Sequence, residues 1–270
     1  MIRAVQTSGA SFWSKCSEYP HYRTLLLFLA LRDITVRYRQ TVLGVFWAIL
    51  QPVLPMLIFT LLFARTMHQQ TGGVPYWLFT LAGMIPWMFF SNAVGGSGTT
   101  FVNNHGLLNK VYFPRAILPA AAVLACLLDW LIGVVFLVGA LFYSGYRPSF
   151  EWLFIPVIGL LTALLAAAVG IAAASLAAMY RDVKHILPYL IQLWMYATPV
   201  WFTRNMVPRK LQWALGLNPM AGVVEAFRSC LFGTAADWRL LAFSAGATVF
   251  LCVIAIFLFE RLETDLAELV

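Results

Sequence analysis

Three arginines, Arg32, Arg37 and Arg39, fall within a short segment directly ahead of TVLGVFWAILQPVLPMLIFTLLFA, a stretch with no ionisable residue. A guanidinium is a planar fork of donors that keeps its charge, so such a cluster is suited to gripping a phosphate or carboxylate. A pyrophosphate headgroup arriving at a lipid–water boundary is the kind of anion it would serve. Asp33 and Arg37 stand at i, i+4 with the acid first, worth only about 0.2–0.5 kcal/mol on an open helix. On helical spacing, Leu27, Leu31, Ile34 and Tyr38 share one face of His21–Gln40, and Arg32, Asp33, Arg37 and Arg39 the other. This pattern fits an amphipathic helix anchored among headgroups. It equally fits a helix that guards a cytoplasmic entrance and offers its cations to an anion.

A second constellation is FVNNHGLLNKVYFPRA, Phe101–Ala116. Asn103, Asn104, His105 and Asn109 supply a polar rim, and Lys110 a charge. Leu107, Leu108, Val111, Tyr112 and Phe113 form an apolar ridge that ends at Pro114. A connection that merely returned the chain would not require exposed Leu, Tyr and Phe. An apolar knob with a polar rim suits a helix that plugs into a partner's groove, with packing against lipid as the alternative. Asp129 is the one carboxylate deep in an apolar run. A central Asp costs about 2.5–3.5 kcal/mol on insertion scales, so it must face protein or water. An interhelix hydrogen bond is the expected role; a proton relay lacks a second acid or histidine nearby in sequence. Glu225 and Arg228, at i, i+3, are read as a pair.

Several chemistries are missing. The sequence has no GxxxxGK[ST], HExxH or GxSxG pattern. Gly95, Gly96 and Gly98 lie within an apolar run without a lysine and read as close helix packing. The histidines His21, His68, His105 and His185 are dispersed, so no metal site is expected. The cysteines Cys16, Cys126, Cys230 and Cys252 have no CxxC spacing. The chain is not expected to hydrolyse ATP by itself.

These groups must be positioned by a membrane body. The chain is 61% hydrophobic and 11% charged with a mean hydropathy of +0.81, whereas soluble domains are about 25% charged. About 20 apolar residues cross a hydrocarbon core of roughly 30 Å. With charges and turn residues as punctuation, six spans emerge: Leu43–Ala64, Tyr76–Thr100, Ile117–Tyr143, Trp152–Met179, Ile186–Phe202 and Leu240–Phe259. Six spans put both termini on one side. Arg32, Arg37, Arg39, Lys110, Arg115, Arg181 and Lys184 lie on that side, against only Arg65 and Arg147 in the short loops of the other, so both termini are expected in the cytoplasm. The net charge of +7 reads as this bias rather than as a surface for nucleic acid. Leu25–Leu31 is too short for a secretory signal, and none is expected.

The expected fold is therefore an all-α integral membrane protein. Residues 1–42 form a cytoplasmic N-terminus with its amphipathic helix, 43–259 a six-span domain, and 260–270 an acidic cytoplasmic tail. Thr203–Arg239 is too long for a turn and too apolar for a solvated loop. Its pieces LQWALGL and PMAGVVEAFRSCLFG are too short to span, so re-entrant or interfacial helices in the outer leaflet are expected. Phe46, Trp47, Phe59 and Phe63 stud the first span, and Trp194, Tyr196, Trp201 and Phe202 the fifth. They suit belt or core packing, or the wall of a sugar conduit, where ring faces pack on pyranose C–H faces.

The segments RDITVRYRQTVLGVFWAILQP, LAGMIPWMFFSNAV, LLNKVYFPRAILP, YRDVKHILPYLIQLWMYATPV and NPMAGVVEAFRSCLFG, in this order and spacing, resemble the permease subunits of bacterial ABC exporters for O-antigen, capsular polysaccharide and teichoic acid. The likeness runs from Leu31 to Gly233, and LLNKVYFPR and YRDV favour the O-antigen branch. It implies a homodimer in the bacterial inner membrane, with two separate ATPase subunits that bring ATP and magnesium, and no cofactor in this chain. It implies that Phe101–Pro114 is the coupling helix, engaging the ATPase through Asn104, Leu107, Leu108, Lys110, Val111, Tyr112 and Phe113. Arg32, Arg37 and Arg39 would gate the entrance and meet the pyrophosphate. Phe46, Trp47, Phe59, Trp194, Tyr196 and Trp201 would line a channel between protomers. The implied substrate is a polysaccharide on undecaprenyl pyrophosphate, moved from cytoplasm to periplasm. The first 20 residues and the acidic tail have no counterpart.

Rival classes fit less well. A membrane glycosyl- or phosphotransferase would need acidic clusters in its inner loops to hold a metal, and only Asp182 is there. An ion-coupled carrier is disfavoured by the single deep acid. Within the family, export of a lipophilic small molecule remains the rival, and would require a closed greasy seam where glycans require a wide aromatic passage.

Overall fold

Five helical stretches are long and apolar enough to cross a membrane: Gly44–Thr66, Tyr76–Gly98, Ile117–Tyr143, Phe150–Met179 and Trp238–Arg261. The computed structural model describes residues 22–39, 41–67, 71–108, 113–235 and 237–268, and among them all regular structure is helical. In chain order the α-helices are α1 Arg23–Tyr38, α2 Trp47–Met67, α3 Tyr76–Gly98, the single turns α4 Thr100–Asn103 and α5 His105–Leu108, then α6 Ile117–Tyr143, α7 Ile155–Met179, α8 Val183–Ala197, α9 Gln212–Leu217, α10 Pro219–Phe232 and α11 Trp238–Glu268.

α3 is the hub. It packs against α7, α6, α2, α10 and α8, while α11 lies on α7 and α10. α3 is the least apolar of the five long helices, yet 78% of its apolar window is buried, against 17% for the first span and 22% for the last. Lipid tails are as apolar as leucine, so greasiness does not drive a helix inward here; close packing of small residues and interhelix hydrogen bonds do. Both devices are present. A Cβ on Gly98 would collide with Leu187 Cδ2 of α8 and lie 3.1 Å from Ala173 Cβ of α7. Ser97 Oγ donates to Pro119 O of α6 at 2.8 Å.

The expected fifth span is cut short. α8 has 15 residues, about 22 Å of helix at 1.5 Å per residue, less than the roughly 30 Å of a hydrocarbon core. It stops at Ala197 because Thr198 precedes Pro199, and a residue before proline avoids the helical region; Thr198 is extended, with φ −101° and ψ 137°. The rest of the expected span, Thr198–Phe202, is a turn. The long connection after it contains the two expected short helices, as α9 and α10. α10 opens on Asn218, whose side chain accepts from Met220 N, with Pro219 in its first turn. It closes on Gly233 at φ +66°. These are the side-chain cap, first-turn proline and left-handed stop of a well-defined helix. The acidic end, assigned to a separate tail from Glu260, continues as helix α11 to Glu268.

Candidate functional site

α1 packs lengthwise on α6 with a mixed side inward, apolar at Leu29 and Ala30 and polar at Arg37 and Tyr38. Leu29 and Ala30 are buried with Phe101, Phe113, Ile117, Leu118 and Ala121 in a second core. Leu27, Phe28, Leu31 and Val36 are exposed. Of the face read as apolar, Leu27 and Leu31 are turned out, while Tyr38 joins Arg32 and Arg37 of the other face in contacting the protein. In a membrane body greasy side chains can face outward at no cost, whereas charges need partners. Arg37 Nη1 donates to Asp129 Oδ2, and Tyr38 Oη donates to Asp129 Oδ1. Arg37 Nη2 also lies 3.4 Å from Cys126 Sγ. Asp129 therefore has the interhelix partner that its depth demanded, supplied by a segment some 90 residues away.

The other two arginines diverge. Arg32 Nη2 bonds Asp33 Oδ1 at 2.8 Å and Asn104 Oδ1 at 2.9 Å, and so ties α1 to the turn between α4 and α5. Arg39 is exposed at the end of α1. Asn104 also donates to Thr100 O at 2.9 Å. Leu107 packs partly buried on the second core, and Phe113 is only 5% exposed within it. Phe113 therefore faces the body of the protein, not outward. Leu108 closes α5; Lys110, Val111 and Tyr112 lie outside the described residues.

The candidate conduit aromatics separate into three groups. Phe59 stacks on Trp201 at 5.6 Å and 4°, and Phe63 on Trp201 at 5.4 Å and 27°, joining α2 to the turn after α8. Trp194 turns inward: its Nε1 donates to Asn218 Oδ1 at 2.9 Å, and its ring meets Phe90 edge-on at 5.0 Å. Phe46, Trp47 and Tyr196 are exposed. Tyr196 belongs to a stripe that the sequence reading missed. His185, Tyr189, Gln192 and Tyr196 recur at i, i+4, i+7, i+11 along α8 and are all exposed. That period is the signal that could have found them.

The end of the bundle where α8 stops is fastened by Arg228. It does not pair with Glu225 as its spacing suggested. Its guanidinium donates to three carbonyl oxygens: Phe79 O at 3.1 Å, Pro199 O at 2.6 Å, and Val200 O. It also lies over the Phe79 ring at 3.6 Å. Pro199 and Val200 have carbonyls to offer because α8 has already ended. One buried cation thus joins α3, α10 and the turn after α8.

A family model, that of the ABC-2 type transporters, matches residues 24–232 of this chain. An O-antigen export system permease protein, RfbA, of Myxococcus xanthus is 30% identical over 256 residues, covering 93% of this chain and 97% of that protein. The protein of the same name from Klebsiella pneumoniae is 27% identical over 246 residues, covering 91% and 94%. The polysialic acid transport protein KpsM of Escherichia coli is 27% identical over 208 residues, covering 75% and 79%.

Proposed function

The chain belongs to the ABC-2 type transporter family, and on that premise we propose that it is the permease subunit of an exporter of lipid-linked polysaccharide, O-antigen first. The observation that carries this reading is near end-to-end similarity to permeases named for O-antigen export. The similarity to a polysialic acid transporter makes capsular polysaccharide the second reading. ATP and magnesium belong to a separate ATPase subunit, two copies of which dock below a permease homodimer in the inner membrane. The carrier is undecaprenyl pyrophosphate, met by Arg37 and Arg39 on the cytoplasmic side, where both termini lie.

In this reading α8 and the turn after it complete a sixth crossing, and α9 and α10 form a re-entrant hairpin. Contacts at the two ends of α10 support the hairpin. Asn218 Nδ2 donates to Ala197 O at 3.1 Å, where α8 stops, and Trp152 Nε1 donates to Leu231 O at 3.3 Å, at the connection between α6 and α7. α10 thus runs from inside the bundle back to its outer rim. α8, with α2 opposite, walls the conduit against the second copy. Its His185–Tyr196 stripe carries hydroxyl, amide and imidazole groups that suit sugar hydroxyls and ill suit lipid.

Inactivating the gene in its host tests the reading. Surface polysaccharide should disappear while carrier-linked glycan builds up on the cytoplasmic side. Unchanged surface polysaccharide would overturn it.

A further inference from the structure

We propose that Asp129 is an internal competitor for the transported anion: at rest it holds, on Arg37, the place that the carrier's pyrophosphate takes during export. This rests on the reading that Arg37 meets the pyrophosphate, and adds what Arg37 does when no substrate is present.

Asp129 presents two carboxylate oxygens, one taken by Arg37 and one by the Tyr38 hydroxyl. A guanidinium beside a hydroxyl is the same donor set a phosphate oxygen would use. Access is asymmetric. The Arg37 side chain is 33% exposed, while that of Asp129 is 11%. An anion can therefore reach the cation without first exposing the carboxylate. Arg39, exposed and two residues on, is placed to collect such an anion at the point of exchange. Arg32, 35% exposed, is held by Asp33 and Asn104, neither of which lies on α6.

The exchange is chemically feasible because it is partial. An unpaired carboxylate at the thirteenth residue of α6, roughly 18 Å along that helix, would be costly. When Arg37 turns to the pyrophosphate, the Tyr38 hydroxyl can stay on Asp129. The incoming group carries more negative charge and more acceptor oxygens than one carboxylate, so it competes for the same fork. Arg37 cannot serve both. With only Tyr38 left on Asp129, the last turn of α1 is held on α6 by one of its two bonds, so pyrophosphate binding loosens that docking and each weakens the other by the same factor. Arg37 and Tyr38 stand directly before the linker into α2, so the release occurs where α1 meets the first span.

The test uses the permease–ATPase complex in nanodiscs with farnesyl pyrophosphate as the probe. Asp129→Asn removes the competing charge and should tighten probe binding on the order of tenfold, within the usual range of such couplings. Arg37→Gln should weaken it. Spin labels at the exposed positions Val36 and Val135, in a background lacking Cys16, Cys230 and Cys252, should report a longer α1–α6 distance when the probe binds wild-type protein. Asp129→Asn should show that longer distance without probe. If Arg37→Gln weakens binding but Asp129→Asn leaves affinity unchanged, the competition is refuted while the pyrophosphate reading stands. If Arg37→Gln binds as well as wild type, the pyrophosphate reading itself falls. Should Asp129→Asn fail to fold, the wild-type label distance decides alone: binding without movement overturns the proposal.

Discussion

A buried guanidinium is tolerated only when its donors are satisfied, and Arg228 meets this condition with carbonyls instead of a carboxylate. Lysine is a point charge on a flexible stem and cannot span Phe79 O, Pro199 O and Val200 O together. Arg228→Lys and Arg228→Ala should therefore both destabilise the protein, by about 2–4 kcal/mol, since each abandoned buried acceptor costs about 1–3 kcal/mol. Gly83→Ala should act through the same knot. Its Cβ would collide with the Arg228 guanidinium and stand 2.6 Å from Val200 O, and a backbone carbonyl cannot step aside. Melting of detergent-solubilised protein, followed by size-exclusion chromatography, measures all three; a melt of Arg228→Lys equal to wild type would show that the three carbonyls do not matter. The knot was hidden from sequence reading for a physical reason. Glu225 and Arg228 have the spacing of a pair, whereas every residue has a carbonyl, so only the fold reveals which ones lack a partner.

At the scale of elements, Asn218 pins the junction of α9 and α10, the proposed hairpin. Its side chain caps α10 through Met220 N, accepts from Trp194 Nε1, and donates to Ala197 O and Thr198 Oγ1. Losing a cap of this kind costs about 0.5–2 kcal/mol. Asn218→Ala should loosen the hairpin more than the bundle, so protease cleavage within Thr203–Leu217 should quicken while overall melting falls only modestly. Equal cleavage of wild type and variant would remove Asn218 from that role. Much of this level was readable in the sequence. The lengths of LQWALGL and PMAGVVEAFRSCLFG exclude a crossing, and Asn-Pro at one end with Gly at the other marks the bounds of α10. Two features were misjudged. Thr198–Pro199 is a helix-stop signal that the continuing apolar run of the fifth segment masked. Tyr38 was placed with Leu27 and Leu31 on the apolar face of α1, yet it turns in to Asp129 while they are exposed, because periodicity sorts polar from apolar positions without naming the tertiary partner each will meet.

At the scale of the whole molecule, the question is which exposed faces meet lipid and which meet water. α11 exposes Phe243, Val249, Phe250, Val253 and Phe257, all side chains content in hydrocarbon. α8 exposes Ile186, Leu190 and Leu193, and beside them Tyr189, Gln192 and Tyr196. A glutamine on a lipid-facing stripe would leave an amide without partners, a cost the aliphatic residues of α11 never meet. We propose that the Gln192 side of α8 looks onto a second protein surface or a wet passage. Thiol labelling separates the cases. A single cysteine at Gln192 should react with a membrane-impermeant, water-soluble thiol reagent, and one at Val253 should stay silent. Reaction at Gln192 should also slow when a bulky group is placed at Tyr189, one turn toward the cytoplasm, because both would line the same passage. If Gln192→Cys is as unreactive as Val253→Cys in the assembled transporter, α8 lies against lipid or dry protein. The proposed conduit would then have to be sought along α2, whose Phe59 stacks on Trp201.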